Sequence, residues 1–187
     1  LDYIRSTEVY KLLSSNDACG PEGNLLQITD ERTAESQVSF IIWAFSLARP
    51  RNILEIGHNR GMFSYLVSML VPEAYILALD INPAAYRSTE VLTELANLDI
   101  EFLDGDSKVT LSQVKSYPFQ FAWVDGGHDY PECYSDLMNC SRLKIPYVAV
   151  DDTNYDSVMR ALSVWTRTEP YEEVPNPFIG SDSRQAR

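Results

Sequence analysis

Acidic residues close a series of short apolar runs along this chain. Asp80 follows the run at 75–79, and Asp104 or Asp106 follows 100–103. Asp125 follows 119–124, and the pair Asp151-Asp152 follows 147–150. A carboxylate at the end of a strand can accept hydrogen bonds from a ligand, but aspartate is also a common helix cap and turn former. Capping needs only one carboxylate, and four successive runs ending this way exceed what it demands. A further acidic residue, Glu55, lies inside an apolar run in residues 52–61, Asn-Ile-Leu-Glu-Ile-Gly-His-Asn-Arg-Gly. A carboxylate there is costly to bury without a partner.

These groups must be placed by strands and helices, and the hydrophobic pattern supplies them. Residues 53–56 read as a buried strand that stops in a turn holding Gly57 and Gly61. Met62, Phe63, Tyr65, Leu66, Met69 and Leu70 then recur at helical spacing. A glycine turn between strand and helix presents backbone N–H groups at a helix N-terminus, where an electron-rich ligand can sit. Further strands are expected at 75–79, 100–103, 119–124 and 147–150, with a possible sixth at 171–174. Helices are expected at 2–14, from Thr29 or Asp30 to Leu47, from Pro83, and at 108–116, 131–142 and 157–166. Short strands alternating with helices define an α/β fold. The expectation is a Rossmann-like, doubly wound, mostly parallel sheet with helices on both faces. Ligands of such sheets bind outside the carboxyl ends of the strands, where all these aspartates fall.

Asp80 lies about twenty residues beyond Gly57, the separation at which a nucleotide-binding half places a carboxylate on a ribose diol. That much suits either NAD or an adenosyl ligand. Glu55 separates them, because it would face the cationic groups of S-adenosylmethionine but repel the pyrophosphate of NAD. The spacing Gly-x-x-x-Gly also departs from the Gly-x-Gly-x-x-Gly of dinucleotide sites.

With these features in order, the chain resembles the class I S-adenosylmethionine-dependent methyltransferases over about residues 25–165. Leu54-Glu55-Ile56-Gly57-His58-Asn59-Arg60-Gly61 is similar to their first motif, and Ala78-Leu79-Asp80-Ile81 to the second. Leu103-Asp104-Gly105-Asp106-Ser107 is similar to the segment reaching the adenine. The resemblance thus implies donor contacts at Glu55, Gly57, Gly61, Asp80, Ile81, Asp106, Ser107 and Asp125. Val124-Asp125-Gly126-Gly127-His128-Asp129-Tyr130 followed by Val150-Asp151-Asp152 resembles small-molecule O-methyltransferases of the catechol, caffeoyl-CoA, macrocin and cephalosporin-hydroxylase-like groups. That likeness implies a divalent metal, Mg²⁺ or another cation, on Asp125, Asp151 and Asp152, an oxygen set that suits Mg²⁺. It gives a catalytic role to Asp125, and His128 is near enough in sequence to act as general base, the alternative being a loop histidine bonded to backbone. Two departures stand out. Asn59 replaces the central glycine of the first motif, and Leu143-Lys144-Ile145-Pro146 replaces a Gly-Gly turn before the fifth strand.

The chain has 187 residues, which suits one domain. Its parts would be a helical segment at 1–48, a Rossmann-like core at 50–175 and a mobile tail at 180–187. Net charge is −12, from 15 basic and 27 acidic residues, which argues against a nucleic-acid partner. No apolar run is long enough to span a membrane, and no signal peptide is visible. The chain starts at Leu1, which points to a trimmed upstream segment. Cys19, Cys133 and Cys140 are odd in number and lack Cys-x-x-Cys spacing, which fits a cytoplasmic location. Expected partners are a small-molecule methyl acceptor and, by the resemblance, a second copy in a homodimer. The short C-terminus leaves a seventh strand reduced, absent or built from Phe178 and Ile179. The competing readings are an NAD-dependent oxidoreductase and a non-catalytic adenosyl-ligand module.

Overall fold

The computed structural model describes residues 2–14, 31–115 and 117–178, and the side chains from Ser36 onward in the second stretch. In chain order come α1 (Asp2–Ser6), α2 (Glu8–Leu13), α3 (Glu31–Ala48), β1 (Asn52–Ile56) and α4 (Met62–Leu70). Next are β2 (Tyr75–Asp80), a 3₁₀ turn (Pro83–Ala85), α5 (Tyr86–Ala96), β3 (Asp99–Asp104) and α6 (Ser107–Gln113). The described part ends with β4 (Phe121–Val124), α7 (Tyr130–Leu143), β5 (Tyr147–Val150) and α8 (Asp156–Thr168). The proposed caps Thr29 and Asp30, the tail at 180–187 and Ile179 lie outside the described residues.

All five strands pair in parallel, in the order β3-β2-β1-β4-β5. The chain winds outward from β1 through β2 to β3, then crosses back to place β4 on the other side of β1. The crevice where the winding direction changes therefore opens at the carboxyl ends of β1 and β4. Alternation along the strands sorts their side chains between two layers. Ile53, Ile76, Phe121, Trp123 and Ala149 pack with α2, α3, α4 and α5. Leu54, Ile56, Leu77, Leu79, Ala122 and Val124 pack with Leu111 of α6 and with Cys140 and Leu143 of α7. Cys133, Leu137, Val158, Ala161 and Trp165 join α7 to α8. Cys133 and Cys140, seven residues apart on α7, are buried and free, small apolar fillers of the core.

Several local expectations change. The single N-terminal helix is two, because Thr7 is extended and its hydroxyl caps α2 through the Tyr10 N–H. Residues 171–174 form no strand. Tyr171 instead stacks on Trp165 with centroids 4.2 Å apart and donates its hydroxyl to the Ile145 carbonyl at 2.7 Å. Pro170, Pro175 and Pro177 remove backbone donors on either side. The strand β3 is not apolar on both faces: Asp99 and Glu101 are exposed, as an edge position allows. Both departures from the usual glycines take left-handed backbone. Asn59 has φ 48° and Lys144 φ 57°, so the turns keep their shape without glycine. Among the described residues no helix is long and apolar enough to cross a membrane.

One buried group carries a stability consequence. Asp136 of α7 is 1% exposed, and its carboxyl rises to about 6, chiefly through burial, with Ser107 and Lys108 pulling it back in part. In the unfolded chain it titrates near 3.9. The folded form therefore loses stability as pH rises from about 4 to about 6, by roughly 2–3 kcal/mol, and does not regain it above that range. Asp136→Asn should be more stable than wild type at pH 8 by about 2 kcal/mol in denaturant melts. That advantage should vanish at pH 4, and parallel pH curves would contradict the assignment.

Gly57 supplies a second test. Its φ is +90°, and a Cβ there would overlap the Asp125 carbonyl where β1 and β4 converge. Gly57→Ala should cost about 3 kcal/mol or more, lowering the melting temperature by about 10 °C. An unchanged melt would show that the strands can part freely.

Candidate active site

An open cleft of about 2110 Å³ runs across the carboxyl ends of the strands. Its walls include Glu55, Gly57, Gly61-adjacent His58, Asp80, Ile81, Asp106, Ser107, Asp125, His128, Asp151 and Asp152. The sheet order alone brings these distant positions together. Gly61 does not line it. A Cβ on Gly61 would come within 2.9 Å of the His58 ring and of Leu92, so this glycine serves the packing beneath the turn.

The turn after β1 spends its amides on the protein. The N–H groups of Gly57 and His58 both donate to the Leu79 carbonyl, at 2.8 and 3.1 Å. Asn59 N–H donates to Asp80 Oδ2 at 2.7 Å, and Asn82 N–H donates to Asp80 Oδ1 at 2.8 Å. These three amides are not free to cradle an anion. They lock the turn against β2 and fix the Asp80 carboxylate, each oxygen of which keeps lone-pair capacity. Ile81 beside it is 71% exposed, an apolar surface open to a ligand. At the end of β3, Asp106 caps α6 by accepting from Lys108 N–H at 2.9 Å.

Glu55 turns inward from the middle of β1. Its Oε2 accepts from Ser64 Oγ at 2.6 Å and meets His58 Nδ1 at 2.7 Å, and both Glu55 and His58 are fully buried. This pairing answers the cost of burying Glu55. It was not legible beforehand, because His58 reads as a turn residue until the turn folds it back under β1.

At the ends of β4 and β5 the carboxylates crowd. Burial pushes Asp125 well above the usual carboxylate range, and Asp151, Asp152 and Glu55 push it further; Trp123 offsets part of this. Burial also raises Asp151, which the Asp152 N–H, Gln37 and His128 pull back in part while the Asp152 carboxylate adds to the rise. Both Asp151 oxygens are engaged: Oδ2 accepts from Gln37 Nε2 at 2.6 Å, and Oδ1 from Asp152 N–H at 2.8 Å. Asp152, with φ 54°, turns the other way, and its Oδ2 meets His128 Nε2 at 2.7 Å. The His128 ring stacks on Tyr155 at 4.7 Å. Asp125, His128 and Asp152 each offer one ligand atom within 4.8 Å of the others. The set gathered here thus holds His128 where the sequence suggested Asp151. Gln37 escaped the sequence reading because only the fold carries α3 to β5. A cation suits this donor set, since it would offset the burial and the repulsion that lift Asp125.

Residues 54–166, more than half of the chain, match the family model described as a methyltransferase domain. A tRNA1(Val) (adenine(37)-N6)-methyltransferase of Vibrio cholerae serotype O1 is 46% identical over 48 residues, 26% of this chain. The chain spans only 20% of that relative's length. Among solved structures, the O-methyltransferase TomG of Streptomyces achromogenes, involved in tomaymycin synthesis and in complex with S-adenosylmethionine, superposes with a TM-score of 0.62. It is 18% identical, covering 89% of this chain and 81% of its own. An O-methyltransferase of Bacillus cereus in complex with S-adenosylhomocysteine gives the same TM-score and identity, covering 89% of this chain and 82% of its own. The motifs in order, the parallel sheet with its crevice at β1 and β4, and the family match agree. The chain belongs to this methyltransferase-domain family and has the class I, S-adenosylmethionine-dependent methyltransferase fold.

Proposed function

We propose that this protein transfers the methyl group of S-adenosylmethionine to a hydroxyl of a small molecule, assisted by a divalent cation. The observation that carries this reading is the meeting, in one cleft, of the Asp80-braced turn with the Asp125–His128–Asp152 cluster. Asp80 presents a fixed carboxylate to a ribose diol, and Ile81 an apolar surface to the adenine. On the far side, Asp125 and Asp152, with His128 as third donor, would hold the cation. When bound, that cation supplies an electrophile that acidifies an acceptor hydroxyl. Asp151, held by Gln37, braces the Asp152 backbone rather than reaching for the ion. In the transfer the C–S bond breaks with its electron pair left on sulfur, an O–C bond forms, and the hydroxyl proton passes to water in the open cleft. Positioning of the two reactants supplies most of the acceleration.

The Asp152–His128 contact favours a second arrangement of the same chemistry. There Asp152 orients His128, and the imidazole takes the acceptor proton without a metal. The net charge of −12 and the acidic cleft support a small acceptor over a phosphate chain. The free, buried thiols of Cys133 and Cys140 support a cytoplasmic location.

Asp80→Ala should weaken S-adenosylmethionine binding about tenfold or more in calorimetry, as for a lost charged hydrogen bond. Unchanged affinity would remove the donor assignment. Asp152→Ala should cut turnover about 100-fold or more while leaving donor affinity within about twofold. EDTA should do the same. Full activity in EDTA, with Asp152→Ala still dead, would replace the cation by the His128 base. Donor binding with no turnover on any acceptor and no cation binding would mark a non-catalytic adenosyl module.

A further inference from the structure

Resting on the reading of the cleft as a methyl-donor site, we infer that His58 keeps Glu55 anionic without neutralising it, so that the pocket selects a sulfonium over a thioether. The donor carries a positive sulfur and the spent product does not, so a net charge in the wall distinguishes them. Glu55 is 1% exposed and lines the cleft, and its charge reaches Asp125 across the convergence of β1 and β4.

The hydrogen bonds around His58 define the charge of the pair. His58 Nδ1 meets Glu55 Oε2 at 2.7 Å, and Ser64 Oγ donates to the same oxygen at 2.6 Å. Among the described residues His58 Nε2 is buried with no hydrogen-bond partner, packed below Gly61 and near Phe102. An imidazolium would bury a second, unpaired N–H, which is expensive. A neutral ring with its proton on Nδ1 satisfies Glu55 and leaves only an acceptor lone pair unmet. The pair then bears one negative charge. The charged groups around it are Asp80 and Asp125 at neighbouring strand ends and Arg60, whose Nη1 is directed to the Ser14 carbonyl at 3.0 Å. His58 acts through Glu55, which makes it a positioning and specificity residue.

The test is calorimetry at pH 8 with the whole chain, measuring S-adenosylmethionine and S-adenosylhomocysteine separately. The readout is the ratio of their dissociation constants. Glu55→Gln and His58→Leu should each shift that ratio about tenfold against the donor, and the double variant should shift it no further. His58→Asn, whose amide replaces the Nδ1 donor, should restore the wild-type ratio. Equal loss of both affinities in His58→Leu, with the ratio unchanged, would reduce His58 to a packing residue and overturn the inference. A ratio in His58→Asn about tenfold more favourable to the donor than wild type would also overturn it, by showing that the native pair is neutral. If His58→Leu does not fold, Glu55→Gln against His58→Asn decides alone: an unshifted ratio in Glu55→Gln contradicts the inference. Failure of wild type to bind either nucleoside would instead defeat the donor-site reading.

Discussion

The contact on which this architecture turns is the approach of Gly57 to the backbone of Asp125. The winding direction reverses between β1 and β4, so their carboxyl ends must converge without a loop between them. No side chain fits at Gly57, and only a residue at ease with φ of +90° can make that turn. The convergence sets the turn after β1 beside the acidic cluster. A glycine at this place need touch no ligand to be essential for the site. Its role is to let two halves of a site share one crevice.

Around that crevice the protein collects more negative charge than it can satisfy internally. Glu55 is answered by His58 and Ser64, and Asp80 by two backbone amides. Asp151 is answered by Gln37 and a backbone amide. Asp125 is left with burial and three neighbouring carboxylates, and Asp152 with His128. The graded satisfaction orders the site. Asp151, with both oxygens engaged, acts as a brace; Asp80 and Glu55 are fixed in place yet keep lone-pair capacity, and Asp125 and Asp152 are the least answered. An incoming cation would relieve that last pair.

Much of this was readable in the residues. Short apolar strands alternating with helical periods gave the parallel sheet, and the strand-terminal aspartates with the glycine turn gave its crevice, because period and position follow from local pattern. Asp80, Asp125 and Asp152 fall where the strand ends predict. The partners of the buried acids were hidden. His58 lies three residues from Glu55, but only the folded turn brings its ring beneath the strand. Gln37 is far from Asp151 in the chain, so no local pattern links them. The failed strand at 171–174 has a nearer cause: its apolar and aromatic residues fit a strand, but flanking prolines and a tyrosine that caps Ile145 draw it across α8 instead. Asp106, which lines the cleft, also caps the helix that follows it, the double use that aspartate at a strand end allows.

The central claim is that donor and cation meet in one crevice, and a crystal structure with S-adenosylhomocysteine and Mn²⁺ tests it directly. The account predicts a nucleoside with its ribose on Asp80, together with an anomalous peak bounded by Asp125, His128 and Asp152. A nucleoside lying elsewhere, or a manganese ion held away from these three residues, would contradict it.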